Sequence, residues 1–379
     1  MRIIDRYLLV QYVKTFLICW ISLTGLYVVV DAFSNLDEFM RYAEHSGKPL
    51  VRIMGEFYTF RSIYFFDRCS AILAMIAAMF TITGITRHNE LTALLAAGIS
   101  RMRVVRPILV AAVVVTVGAA CSREFIIPAL REHLTRDPKD LIGNTAQEMH
   151  TQVDHETGLI LKGQFTIVNE QKIHRPTFVL PPRLDAYGKH LSGVDAYFQP
   201  ATDDHPQGYL FRPVTSPPEL LKQTSLTFKE KPVVLTPADH PTWLKPDECF
   251  VVSDVSFAQL STGRTWRKFM STPELVEGLA NPSLDFGADV RVMIHSRLVQ
   301  PLADVTLLFL GLPLVLRRET RNVFVAVFLC LGLTVVFMLV GMACQYLGSI
   351  VVIRPSLAAW LPLLIFVPVA TALYDRIDK

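Results

Sequence analysis

The sequence predicts an α-helical membrane protein of six spans, with an all-β domain inserted between the third and the fourth. Three observations carry this prediction. Hydrophobic residues make up 51% of the 379 residues and charged ones only 19%, against about 25% in a soluble domain, and mean hydropathy is +0.36. The long uncharged runs fall within residues 1–122 and 297–379. The stretch between them holds 16 of the 23 prolines and reads as water-soluble. Together these exclude a secreted disulfide scaffold, a disordered chain and an ordinary cytosolic enzyme. A net charge of +3 without a long basic run gives no case for nucleic acid as a partner.

A helix needs about 20 largely apolar residues to cross ~30 Å of hydrocarbon. The first span is Thr15–Val30, with Lys14 placed to snorkel. It follows basic residues as a signal peptide would, but it runs into Val28-Val-Val-Asp-Ala-Phe-Ser34 without a small-x-small cleavage site, so it reads as retained. The second is Cys69–Thr86, preceded by Phe57, Tyr58, Phe60, Tyr64, Phe65 and Phe66 as an aromatic interface belt. The third is Pro107–Ser122, and the fourth is Leu298–Leu316, which carries Asp304. The uncharged run Asn322–Ile353 holds a fifth span to about Cys344 followed by an apolar turn, and Pro355–Tyr374 is the sixth.

Lys and Arg concentrate on the cytoplasmic side of short loops. Arg2, Arg6 and Lys14 precede span 1; Arg87, Arg101, Arg103 and Arg106 separate spans 2 and 3; Arg317, Arg318 and Arg321 separate spans 4 and 5; Arg376 and Lys379 follow span 6. All four groups fall on one side if every span crosses. On the other side, Arg41, Lys48 and Arg52 are offset by Asp31, Asp37, Glu38, Glu44 and Glu56. Both termini are therefore expected in the cytoplasm and the insert outside it. The expected layout is a helical segment over 1–123, a β domain over 124–293 and a second helical segment over 294–379.

Pro181-Pro182 and Pro217-Pro218 would interrupt any continuous helix in the insert. Strand-like runs lie at Gly158–Val168, Thr177–Leu180, Val194–Phe198, Tyr209–Phe211, Ser225–Phe228, Val233–Thr236 and Cys249–Val255. Short strands with such punctuation fit a β-sandwich, a jelly roll or an open barrel. Five of the six cysteines (19, 69, 121, 330, 344) sit in or beside spans, which leaves Cys249 alone in the insert. No internal disulfide is expected there.

Catalytic signatures are missing: there is no phosphate-binding G-x-x-x-x-G-K-[ST], no H-E-x-x-H and no G-x-S-x-G. His240, near Asp239 and Cys249, lacks ligand spacing, so no metal site is expected. The most informative stretch is Arg87-His-Asn-Glu-Leu-Thr-Ala-Leu-Leu-Ala-Ala-Gly-Ile-Ser-Arg101 between spans 2 and 3. Glu90 to Ala97 are good helix formers and Gly98 is a stop. Leu91, Leu94 and Leu95 make one apolar ridge, suited either to docking on another protein or to resting on lipid. Arg61, Arg68, Arg123, Arg297 and Asp304 lie at or within span ends, where ionisable groups mark a pathway or snorkel to headgroups.

Two motifs and the order of parts resemble one family. The motifs are Asn89-Glu-Leu-Thr-Ala-Leu-Leu-Ala-Ala-Gly-Ile-Ser100, followed by Arg101 to Pro107, and His295-Ser-Arg-Leu-Val-Gln-Pro-Leu-Ala303, followed by Gly311-Leu-Pro-Leu314. With a three-span, outer-domain, three-span layout, the chain resembles the LptF/LptG permease family of the bacterial lipopolysaccharide exporter. That resemblance implies a permease subunit with no catalytic site and no cofactor of its own, ATP and Mg being handled by a cytoplasmic ABC ATPase dimer. It implies a second permease as partner, a β-jelly-roll outer domain and a periplasmic jelly-roll bridge that receives lipopolysaccharide. The loop after span 2 would be the coupling helix, with Glu90 meeting basic groups of the ATPase, Leu91, Leu94 and Leu95 filling its groove, and Gly98 ending the helix. Spans 1 and 5 of facing subunits would form a lateral gate. The chain departs from the family at the outer end of span 1, where Asp31 to Glu38 precede the first basic residue, Arg41. Arg61, Arg68, Arg123 and Arg297, with Asp304, are therefore the candidate substrate-facing residues. The rival readings are a permease for another amphiphile and a membrane-anchored β-domain scaffold or sensor; a scaffold would have no use for a coupling helix.

Overall fold

The computed structural model describes residues 3–135, 146–183, 188–202, 205–229, 231–241, 243–263, 265–281, 283, 286–316 and 323–374. The chain begins with helices α1 (Ile3–Ser34), α2 (Leu36–Ser46), α3 (Leu50–Arg87), α4 (Glu90–Ala96) and α5 (Arg101–Cys121). A π-helical turn (Ser122–Ile126) leads into the short α6 (Ile127–Ala129) and α7 (Arg131–Leu134). Eleven short strands are described next: β1 (Gln147–Glu148), β2 (Gln152–Val153), β3 (Ile160–Leu161), β4 (Phe165–Ile167), β5 (Lys172–His174), β6 (Thr177–Val179), β7 (His190–Gln199), β8 (Gly208–Ser216), β9 (Leu226–Phe228), β10 (Lys231–Leu235) and β11 (Cys249–Val252). Helices α8 (Phe257–Thr262), α9 (Thr272–Ala280), α10 (Ala288–Leu316), α11 (Val323–Ser349) and α12 (Pro355–Tyr374) follow. Two compact units result: one of residues 1–36, 51–130 and 287–379, the other of 37–50 and 131–286.

Among the described residues of the helical unit, five helices are long and apolar enough to cross a membrane: α1, α3, α5 with its extension to Ala129, α11 from Phe328, and α12 to Leu373. The 29-residue α10, which carries Asp289, Arg291, Arg297 and Asp304, is not among the five. One core unites the six long helices through Tyr12, Phe16, Leu73, Ile108, Leu310, Phe337 and Phe366. A Cβ on Gly311 would come within 3.0 Å of Met75 Sδ, so the glycine lets α10 lie close against α3. The buried residues of α1 up to its middle, Leu8, Tyr12 and Phe16, recur every fourth position, so a narrow stripe holds this otherwise exposed helix.

Several features differ from the sequence expectation. α3 has 38 residues, about 57 Å at 1.5 Å per residue, well beyond one bilayer. Its aromatic segment is part of that helix and packs on α1: Phe65 stacks on Tyr27 at 5.2 Å, and Phe66 meets Trp20 edge-on at 5.9 Å. α11 continues past Cys344 to Ser349 before the chain turns, with Val351 at φ 63, toward Pro355 at the start of α12. The units change over at Leu130/Arg131 and Phe286/Gly287, whereas the sequence layout divides after 123 and 293. Arg2, Arg317, Arg318, Arg321, Arg376 and Lys379, used in the orientation argument, lie outside the described residues.

In the β unit all strand pairings are antiparallel, in the order β1-β4-β5-β7-β8-β11-β10-β9. β7 is the branch point. Its first half pairs with β6 (Ser192↔Thr177), its second with β5 (Ala196↔Ile173), and its other edge with β8. The inner face joins Leu161, Ile173, Phe178, Leu191, Ala196, Tyr209, Phe211 and Val251 in one apolar core, and Cys249 is fully buried there. Three short strands, β1, β2 and β5, lie outside the runs expected from the sequence. So do α8 and α9, each started by a capping box, Ser256 with Gln259 and Ser271 with Glu274.

Candidate functional site

The α3–α5 connection is built from local signals. Asn89 adopts φ 60, a left-handed conformation that Asn tolerates, and turns the chain from α3 into α4. Gly98, at φ +79, ends α4: its N–H donates to Leu95 O and the Ile99 N–H to Leu94 O, both at 3.0 Å. This double closure is a Schellman motif, and its usual apolar contact is present because Leu94 and Ile99 share one cluster.

Leu91 and Leu94 are turned toward the chain itself. With Ile99 they pack on Ile4 and Leu8 of α1, Ile85 of α3 and Val104 of α5. Leu95 is half-buried, while Thr92, Ala93, Ala96 and Ala97 are exposed. Leu91 and Leu94 thus fix α4 to three helices, and the free side of α4 is lined by small residues. Glu90 occupies the first turn, where its charge suits the helix dipole. Its carboxylate accepts from Tyr7 Oη of α1, at 2.9 Å to Oε2 and 3.2 Å to Oε1. Tyr7 escaped sequence reasoning because it lies 83 residues from Glu90 and carries no local pattern.

The second constellation gathers where α3, the π turn and α10 meet. Arg123 grips Asp67 with Nε at 2.9 Å and Nη2 at 2.8 Å from Oδ1. The pair is largely buried, at 17% and 6% side-chain exposure. A buried arginine in the α5 extension needs such a partner, because an isolated charge out of water is very costly. Asp304, also buried, accepts from Gln300 Nε2 at 2.7 Å and lies within electrostatic reach of Arg123 and Asp67. Half-buried Arg297 interacts with the charges of Glu124, Arg123, Asp67 and Arg68, and its Nη2 is 3.9 Å from Met293 Sδ. Arg68 lies over the Tyr64 ring, and its Nε donates to Tyr64 Oη at 3.0 Å. Four of the sequence candidates, Arg68, Arg123, Arg297 and Asp304, therefore share one charge cluster, with Asp67 as its anchor. Arg61 is placed on α3 within electrostatic reach of the Tyr27 hydroxyl of α1 and lies 4.8 Å over the Phe57 ring. Nearby, Tyr58 Oη donates to Asp31 Oδ2 at 2.8 Å.

The β unit has a cavity of about 290 Å³ lined by Asp154, Glu156, Phe228, Lys229, Lys231 and Asp254, among others. Its charges are largely internal. Asp154 accepts from Ser253 Oγ and from the N–H groups of Glu156 and Thr157, and Lys231 pairs with Glu156 at 2.7 Å. Asp254 is exposed, yet partial desolvation at the cavity, with the Asp154 and Glu156 carboxylates beside it, pushes its carboxyl up from the ordinary 3.8. Its ionised form is therefore a cost to the folded state, present above the folded pKa and relieved as pH falls through it. Accordingly, Asp254→Asn raises the thermal midpoint of the detergent-solubilised protein at pH 7, and the gap to the unmodified chain closes at acid pH. An unchanged or widening gap on acidification would contradict this assignment. His240 lies against Trp243, with ring centroids 6.3 Å apart, whereas Cys249 is in the inner core. Among the described residues, no group of three or more His, Cys, Asp or Glu is placed to hold a metal ion.

One comparison with known proteins bears on this arrangement. The family described as lipopolysaccharide export system permease LptF/LptG matches residues 6–173 and 215–376, nearly the whole chain. No individual curated protein matches it.

Proposed function

Because the chain belongs to the LptF/LptG family of lipopolysaccharide export permeases, we propose that it is the membrane subunit of an ATP-driven exporter that draws lipopolysaccharide from the inner membrane and passes it to a periplasmic bridge. It is a multi-pass membrane protein and a transport subunit, not a catalyst. In this reading α1, α3, α5, α10, α11 and α12 are the six spans. Both termini lie in the cytoplasm, and the β unit is a periplasmic jelly roll that continues into a bridge of similar folds. A second permease of the family completes the core. A cytoplasmic ABC ATPase dimer binds ATP and Mg and docks on α4.

The observation that carries the reading is α4 itself, a short helix held rigidly between two long apolar helices and offering Glu90 beside a surface of small side chains. Rigid anchoring suits a part that transmits force, and the small residues Thr92, Ala93, Ala96 and Ala97 allow a partner groove to approach closely. The leucines then serve as the anchor, with Leu95 at the rim of the contact. At the other constellation, Arg68 and Arg297 are the cations offered to lipid phosphates, and Arg123 holds the site together through Asp67. Arg61, next to Tyr27, contributes at the α1 side of the pathway.

The test is purification of the tagged chain in mild detergent, with identification of bound proteins. The expected result is recovery of an ATPase and a second six-span permease, with the ATPase lost in Glu90→Arg and in Ala96→Trp, which fills the small-residue surface. Recovery of the chain alone, or an ATPase indifferent to both substitutions, would remove the coupling assignment and favour the membrane-anchored scaffold.

A further inference from the structure

The cytoplasmic docking of α4 raises the question of which span receives its motion, and the contacts at Glu90 answer it. Ile4, Tyr7 and Leu8 fall at i, i+3 and i+4, so they occupy one face of α1. Ile4 and Leu8 pack in the cluster that holds Leu91, Leu94 and Ile99, while Tyr7 donates its hydroxyl to both oxygens of Glu90. Beyond this cluster, α1 is held on one side by Tyr12, Phe16, Cys19, Trp20 and Leu23, by the stacking of Tyr27 and by the Tyr58–Asp31 hydrogen bond, and its other side leaves Val10, Leu17, Ile18, Ile21 and Leu26 exposed. A helix with one whole side free of its own chain has room to move on that side, and its first turns are tied to α4.

We propose that Tyr7 is a positioning residue: it holds the Glu90 carboxylate in the orientation that meets the ATPase and ties α1 to α4, so that α1 is the span that moves with the docking helix. The proposal rests on the coupling reading of α4 and adds to it the link from α4 into the membrane. The Tyr7 hydroxyl is the only group removed by Tyr7→Phe, and Ile4 and Leu8 keep the packing. The fold is therefore expected to survive, with an unchanged thermal midpoint.

The experiment measures binding of the purified partner ATPase to the complete permease core, together with lipid released per ATP hydrolysed. Tyr7→Phe is expected to weaken ATPase binding about five-fold, the size of one partly exposed hydrogen bond to a charged group, and to lower the lipid-to-ATP ratio. Because Tyr7 acts through the carboxylate, Tyr7→Phe combined with Glu90→Gln should bind no worse than Glu90→Gln alone. Native binding and native ratio in Tyr7→Phe would overturn the proposal, as would losses that add in the double variant, while Glu90→Arg still releasing the ATPase would leave the docking reading intact. If Glu90→Arg retains the ATPase, both the docking reading and this proposal fall.

Discussion

Replacing Asp67 by leucine is expected to destabilise the protein by about 3–5 kcal/mol, the cost of breaking a buried ion pair from one side. The substitution leaves the Arg123 guanidinium, 17% exposed, without the carboxylate that accepts from its Nε and Nη2. Arg123→Leu does the reverse and is expected to cost a similar amount, because Asp67 then shares its buried surroundings with Asp304 without the guanidinium that bonds it. Exchanging the pair, Asp67→Arg with Arg123→Asp, should recover part of the loss. Thermal unfolding in detergent, followed by intrinsic fluorescence, checks all three. If the single variants were as stable as the native protein, or the exchange were worse than either alone, the pair would not be the anchor of the charge cluster.

The second large effect is expected at Gly208, where β8 begins. A Cβ there would fall 2.2 Å from Val251 O and 2.7 Å from the Phe250 ring, so the clash is with backbone of the paired strand β11. A carbonyl that already belongs to a sheet ladder cannot swing aside as a side-chain tip could. Gly208→Ala therefore has to push β8 from β11, or bend both, at a cost of about 1–3 kcal/mol or more for overpacking a filled interior. Gly208→Val should lower the yield of folded protein further. Limited proteolysis of the β unit reads the outcome directly: earlier cleavage within 199–252 in the variant is expected, and an unaltered digestion pattern would contradict it.

The long helices were legible because an uncharged apolar run of bilayer length has few alternatives, and each of the five apolar helices overlaps an expected span. Most strands were legible too, since Pro and Gly punctuate short alternating runs, and β6 to β11 each overlap a run read from the sequence. The same prolines obscured α9. Pro273 lies in its first turn, where proline is welcome, and Ser271-Thr-Pro-Glu274 is a capping signature that a search for helix starts would have found. Directions were less legible than elements. The spacing of Leu91, Leu94 and Leu95 defines a face, but nothing local says what that face meets; Leu8, Ile85 and Val104, far apart in sequence, are what Leu91 and Leu94 pack on. In the same way Arg123 meets Asp67 across 56 residues, with the π turn between α5 and α6 setting its direction. The charges at span ends could be found by reading the sequence, but their pairing depends on tertiary packing.

The proposed function has this chain moving lipopolysaccharide when an ATPase drives α4. A liposome assay decides this: the chain, with the second permease and ATPase recovered with it, is placed in liposomes containing lipopolysaccharide, and transfer of that lipid to a soluble periplasmic jelly-roll acceptor is followed. Transfer is expected to require ATP and to be abolished by Glu90→Arg. ATP hydrolysis with no lipopolysaccharide reaching the acceptor, or with another amphiphile transferred in its place, would contradict it.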